Sequence, residues 1–204
     1  MNVAGEPASA AVSDAVLDTL FRAARTHNEF KPEPIPDADL HAIYDLVKWG
    51  PTSANAQPLR VLFLKSKAAK QRLAPALSAG NRDKTIAAPV TAILAYDLEF
   101  YEQLPRTFAH NQTARSWFAG QTALIETTAL RNSSIQGGYF IMAARALGYD
   151  CGPMSGFDNA KVDAEFFPEG STKSNFLCNL GKGDWDKMMP RNTRLTFDET
   201  CKIL

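Results

Sequence analysis

Apolar residues recur at helical spacing near the start of the chain, at Val16, Leu17, Leu20, Phe21 and Ala24. That pattern predicts an amphipathic helix capped by Ser13 or Asp14. Lys31-Pro32-Glu33-Pro34-Ile35-Pro36 follows, and its alternating prolines forbid a regular helix. Asp37 caps a second helix with Leu40, Ile43, Tyr44 and Val47 on one face, and Gly50-Pro51 ends it. Arg60–Lys65 is short, continuous and apolar, which predicts a buried strand. Lys67–Ala76 reads as a helix, Ser78–Lys84 as a polar break or turn, and Pro89–Tyr96 as a second strand.

Residues 97–120 are mixed, with aromatic residues at Phe100, Tyr101, Phe108, Trp117 and Phe118. They predict short helices in a flexible excursion over a site. Residues 121–147 carry the longest helical pattern, with Leu124, Thr128, Ile135, Tyr139, Met142 and Leu147 near one face. Its small turn Gln136-Gly137-Gly138 costs about 1 kcal/mol per glycine against alanine, and suggests close approach by another helix or chain. Residues 149–153 lead into the polar loop Met154-Ser155-Gly156-Phe157, and Asp158 then caps a short helix ending at Phe166-Phe167. Ser174–Leu180 is a third strand, stopped by Gly181-Lys182-Gly183-Asp184. The tail, residues 191–204, is polar and then weakly apolar, and suits packing on another subunit. Helices and strands mix without a domain-sized linker, which favours a single three-layer α+β domain over residues 1–204.

Composition changes this picture little. Of the 204 residues, 45% are hydrophobic and 22% charged, ordinary values for a globular protein. The 22 basic and 22 acidic residues balance, which gives no support to nucleic acid or an anionic membrane as partner. Cys151, Cys178 and Cys201 are odd in number and contain no Cys-x-x-Cys, so they read as reduced thiols in the cytoplasm. His27, His41 and His110 lack metal-ligand spacing. Residues 1–12 read as a loose segment rather than a signal peptide, and no stretch approaches the length of a membrane span.

Several signatures fail. Gly181-Lys182-Gly183 lacks the third glycine and the helix of a dinucleotide fingerprint, and no Walker loop occurs. Ser155 stands one place late for a nucleophile elbow, and no histidine follows it. Four polar clusters remain, at residues 25–28, 51–57, 81–84 and 153–156, with Arg194 as a fifth element. Each has a bland explanation: Arg25 could complement a helix dipole, Thr52, Ser53 and Asn55 could form turns, and Lys84 could be a solvated charge. Together they offer the cations, hydroxyls and amides that a phosphorylated, hydrogen-bond-rich cofactor needs.

Arg25-Thr26-His27-Asn28-Glu29-Phe30, Pro51-Thr52-Ser53-Ala54-Asn55-Ala56-Gln57-Pro58 and Gly152-Pro153-Met154-Ser155-Gly156-Phe157 resemble motifs of the FMN-dependent nitroreductase superfamily. The resemblance runs from about Ala15 to Leu195, and the second motif is the most specific. Residues 24–28, 48–55, 131–134 and 152–157 are similar to the RutE/HadB branch, whose named activity is malonic semialdehyde reduction in pyrimidine (uracil) breakdown. The resemblance implies a three-layer α-β-α fold with a central, mostly antiparallel sheet. It implies an intertwined homodimer with FMN shared at the interface, NADPH or NADH as reductant, and a small-molecule electron acceptor.

Carried over by position, Arg25, Thr26 and Asn28 would face the FMN phosphate and ribityl chain. Thr52, Ser53 and Asn55 would reach FMN from the partner subunit. Asn81 and Lys84 would lie near the flavin ring, Pro153, Met154, Ser155 and Gly156 along it, and Arg194 near the phosphate. Asn28 stands where many relatives have a second basic residue, and Ser155 where many have an acid. No catalytic dyad is expected, because the redox chemistry belongs to the flavin. Ser155, another hydroxyl or water would protonate a carbonyl substrate, and Arg115 or Arg106 is a candidate cation for an anionic one. A broad nitro or quinone reductase is the enzyme alternative, and a flavin-binding protein without turnover is the alternative of another class.

Overall fold

The computed structural model describes residues 11–204. The loose segment expected at 1–12 therefore lies almost wholly outside the described residues. Strands β1 (Leu59–Leu64), β2 (Val90–Asp97), β3 (Asp150–Met154) and β4 (Thr172–Gly181) form one antiparallel sheet in the order β1-β2-β4-β3. Helix α1 (Asp14–Leu17) continues into a π turn at Asp18–Arg22, and Ser13 caps it through Val16 N–H. The other helices are α2 (Asp37–Val47), α3 (Lys67–Leu73), α4 (Ala79–Ala87), α5 (Leu104–Thr107), α6 (Thr122–Ala146), α7 (Asn159–Phe166) and α8 (Phe197–Thr200).

Alternation along β2 builds the layers. Val90, Ala92 and Leu94 face one core with Leu40, Ile43 and Val47 of α2 and Phe140, Ala143 and Ala144 of α6. Ile93 and Ala95 face the other, with Leu73 of α3 and Val162 of α7. The sheet is thus buried on both faces, as the expected three-layer α+β arrangement requires. Residues 97–120 fold around a third cluster, where Phe100, Leu104 and Phe118 pack with Ala56 and Ala129.

Four features depart from the pattern of the sequence. Residues 150–154 form strand β3, although Gly152 and Pro153 weaken any strand signal; β3 is an edge strand, where proline is tolerated. Residues 79–87 form α4 instead of a turn. Only Thr85 of α4 is buried, so no apolar stripe announces the helix; Lys70 Nζ stabilises its end by donating to the carbonyls of Ile86 and Ala88. The buried face of α6 carries Asn132, Ser133, Gln136, Gly137 and Phe140, while Leu124, Ile135, Tyr139 and Leu147 are exposed. Finally, the close approach at Gly137 is made by a strand of the same chain: a β-carbon there would stand 2.6 Å from Phe176 Cε1. Gly138 faces open space.

Candidate functional site

The loop at residues 51–58 leaves α2 and enters β1 through an unusual backbone. Ala54, Asn55 and Gln57 have φ values of 51°, 48° and 46°, in the left-handed region. Each costs an L residue on the order of 1–2 kcal/mol, so the surroundings must hold them there. Within the loop, Thr52 Oγ1 accepts from Gln57 N–H at 3.1 Å, and Thr52 O accepts from Asn55 N–H at 3.0 Å. Ser53 N–H donates to Asn132 Oδ1 at 2.8 Å, and Asn55 Nδ2 donates to Thr107 O at 2.7 Å. Arg60 Nη1 donates to Gln57 O at 3.2 Å.

The other expected clusters meet around β3, at the opposite edge of the sheet from β1. Segment 25–28 lies along β3, where Thr26 bridges Cys151 and His27 N–H donates to Cys151 O at 3.0 Å. Lys84 Nζ donates to Asn28 Oδ1 at 3.1 Å. Gly156 O collects Ser78 N–H at 3.1 Å, Ser78 Oγ at 2.7 Å and Asn81 Nδ2 at 2.9 Å. Helix α4 thereby joins segments 25–28 and 153–156. Asn179 supports it from β4, accepting from Thr91 Oγ1 at 2.8 Å while its Nδ2 reaches Lys84 O at 3.4 Å.

A polar cleft of about 560 Å³ opens beside this cluster, lined among others by Arg25, Thr26, Asn28, Arg191 and Arg194. Arg25 donates to Met189 O, and Arg191 Nη2 donates to Arg22 O at 2.9 Å and Ala24 O at 3.1 Å. Arg194 turns back on its own backbone, to Asn192 O at 3.0 Å. Each guanidinium keeps further N–H groups for an anion.

His27 lies beneath the cleft, 1% exposed, with its ring edge-on to Trp185 at 4.8 Å between centroids. Its Nε2 stands 3.4 Å from Asp150 Oδ1, and neither ring nitrogen has a hydrogen bond. Burial lowers its pKa, against the opposing pull of Asp150. Burial also lowers the pKa of Lys70. The thiol of Cys178 is pushed well up by its hydrogen bond with Cys151 and by burial.

The structure therefore unites Arg25, Thr26, Asn28, Asn81, Lys84, Pro153, Ser155, Gly156 and Arg194 on one side of the molecule. No hydrogen bond among the described residues links Thr52, Ser53 or Asn55 to that group. The Met154 side chain packs in the second core with Leu77 and Val162. Arg115 is paired, its Nε and Nη2 clasping Glu102 at 2.7 Å each. Arg106 donates to Gln103 at 3.2 Å. The sequence reading missed Ser78, Arg191, Asn132 and Gln136. Asn132 and Gln136 had left a trace, two amides one turn apart in the polar middle of the longest helix.

The model described as "Nitroreductase family" matches residues 12–181. A Ralstonia nicotianae protein, provisionally named an NADH dehydrogenase/NAD(P)H nitroreductase, is 59% identical over 190 residues, covering 93% of this chain and 97% of that protein. Among solved structures, a provisional nitroreductase from Bacillus subtilis superposes with a TM-score of 0.85 at 21% identity, covering 94% of this chain and 100% of that one. Another, from Exiguobacterium sibiricum and in complex with FMN, superposes with a TM-score of 0.83 at 17% identity, covering 96% and 99%. No helix among the described residues is long and apolar enough to cross a membrane.

Proposed function

The chain belongs to the nitroreductase family, and on that premise we propose that it is an FMN-dependent NAD(P)H oxidoreductase. One observation carries the reading. Two bonds, Lys84 to Asn28 and Asn81 to Gly156, draw three distant sequence clusters into one surface, and Asn28 also borders an arginine-lined cleft. The residues fit the cofactor: a phosphate needs cations with spare N–H donors, and Arg25, Arg191 and Arg194 supply them.

FMN, when bound, would supply the two-electron redox chemistry that links NADH or NADPH to a second substrate. Arg25, Arg191 and Arg194 hold the phosphate end, with Thr26 and Asn28 beside it. Lys84 and Asn81 lie toward the ring, where the Lys84 ammonium favours a negatively charged reduced state. The hydroxyl of Ser155 is exposed and has no hydrogen bond among the described residues, so it is free to donate a proton to a carbonyl oxygen. Thr52, Ser53 and Asn55 serve the cofactor of a neighbouring subunit.

That last role requires a homodimer with each FMN shared. Three features support one: Ile135, Tyr139 and Phe21 are exposed apolar residues lining one groove, no strand among the described residues pairs with the outer edge of β1, and Leu195, Phe197 and Ile203 are exposed in the tail. Residues 191–204 then pack on the partner, and the whole chain serves as one domain. A monomeric mass by light scattering at full FMN occupancy would contradict the shared site.

The proposed acceptor is malonic semialdehyde, reduced to 3-hydroxypropanoate, on the strength of the RutE/HadB-like wording of residues 24–28, 48–55, 131–134 and 152–157. Broad nitro or quinone reduction is the second reading, favoured by the relatives' names and by the aromatic group of Phe108, His110 and Trp117 in the excursion. The test is anaerobic titration of the yellow protein with NADH and NADPH, followed by each acceptor in parallel. Bleaching by nicotinamide and recolouring by malonic semialdehyde support the first reading. A strong preference for a nitroaromatic selects the second, and flavin that is not bleached leaves a binding protein without turnover.

A further inference from the structure

Helix α6 carries a buried polar stripe. Thr128, Asn132 and Gln136 follow one another at one-turn intervals and are 6%, 1% and 4% exposed. Asparagine is a poor helix former, and burying an amide is costly unless its polar atoms are paired. Both ends of Asn132 are paired. Its Nδ2 donates to Thr128 O at 2.8 Å, which turns Oδ1 outward to accept Ser53 N–H at 2.8 Å. One turn on, Gln136 Oε1 accepts Leu59 N–H at 3.1 Å.

These two acceptors bracket the left-handed residues Ala54, Asn55 and Gln57. The loop's internal bonds close a tight turn but do not fasten it to the protein. Asn132 and Gln136 fasten its two ends to the longest helix of the fold. Leucine at either position would fill the same space in the core, yet it would leave Ser53 N–H in the loop, or Leu59 N–H where the loop enters β1, without its acceptor and so loosen that end of the loop. Asn55 and Ala56 would then hold that end only from the side of residues 97–120. The amides are thus placed for the loop's shape, and that shape determines where Thr52, Ser53 and Asn55 point.

We propose that Asn132 and Gln136 are positioning residues of the flavin site, acting through the backbone of the 51–58 loop. This rests on the FMN reading above, and it adds two residues that do not touch the cofactor. They preorganise the groups that do, so that no binding energy is spent on ordering the loop.

The test compares Asn132→Leu, Gln136→Met and Gln136→Glu with wild type. Three quantities are read: FMN affinity from flavin fluorescence, visible circular dichroism of the flavin at saturating FMN, and melting temperature without FMN. Asn132→Leu and Gln136→Met are expected to weaken FMN binding about tenfold, the equivalent of ~1.4 kcal/mol, and to alter the flavin dichroism at saturation. Gln136→Glu keeps an acceptor for Leu59 N–H and is expected to restore both. If Asn132→Leu fails to fold, the Gln136→Met and Gln136→Glu pair decides. Variants that melt lower but bind FMN with wild-type affinity and dichroism overturn the positioning role alone. Wild-type protein that takes up no FMN overturns the cofactor reading and the positioning role with it.

Discussion

The carbonyl oxygen of His27 occupies the space that a β-carbon on Gly152 would need. The neighbour is backbone, and it is further fixed by the bond from His27 N–H to Cys151 O at 3.0 Å. Gly152→Ala must therefore lift segment 25–28 off β3. A loss of about 1–3 kcal/mol is expected from such overpacking, read as a lower melting temperature and weaker FMN binding. Gly183→Ala is expected to act on the same segment through the His27 ring, which fills the corresponding space there.

Ala54 is held at φ 51°. Glycine takes that conformation freely, so Ala54→Gly is expected to gain up to about 1 kcal/mol after its own entropy cost. Ala54→Val, β-branched and poorly suited to the left-handed region, is expected to lose on the order of 1–2 kcal/mol. Thermal unfolding of the two variants should bracket wild type; an Ala54→Val variant that melts above wild type would refute the strained backbone.

Burial lowers the pKa of His27 below its ordinary value, so the folded chain binds fewer protons than the unfolded chain through the range from that value downward. Stability then rises with pH across that range and is lost as pH falls through about 6.5, the unfolded value. Asp150, Asp184 and Arg25 are the charged groups that act on it. Melting temperatures measured between about pH 5 and pH 7.5 should slope upward in wild type and less steeply in His27→Asn. Equal slopes would remove His27 as the source.

Lys84 is half-buried and bonded to Asn28. On the proposed function its charge favours reduced flavin. Lys84→Met is expected to lose about 1.5–3 kcal/mol of that preference, a fall of roughly 30–60 mV in the two-electron midpoint potential. Spectroelectrochemistry reads it directly, and an unchanged potential would place Lys84 away from the ring.

Much of the fold was legible in the chain. Helix α2 carries clear periodicity with Gly50-Pro51 as its end signal, and α7 is announced by its cap, Asp158. The run Val90–Tyr96, short, apolar and started by a proline, pointed to a buried strand, and it is one. The polar clusters were legible as well, because prolines and glycines set them apart from core segments. Strand β3 and helix α4 were not. The first contains residues that disfavour strands, and the second is stabilised by Lys70 and by Asn81 reaching Gly156, contacts that no local pattern announces.

By itself the sequence determined the polar 51–58 loop, its short hydroxyl and amide side chains, and its place between a helix and a strand. It also determined that α6 would be long. Only the tertiary structure decided which face of α6 is buried and what that face grips. Periodicity marks apolar positions, and on α6 the apolar positions Ile135 and Tyr139 are exposed while Asn132 and Gln136 are covered. The reason is hydrogen bonding over distance: Ser53 and Asn132 are separated by 79 residues, and their bond exists only once the sheet has brought loop and helix together.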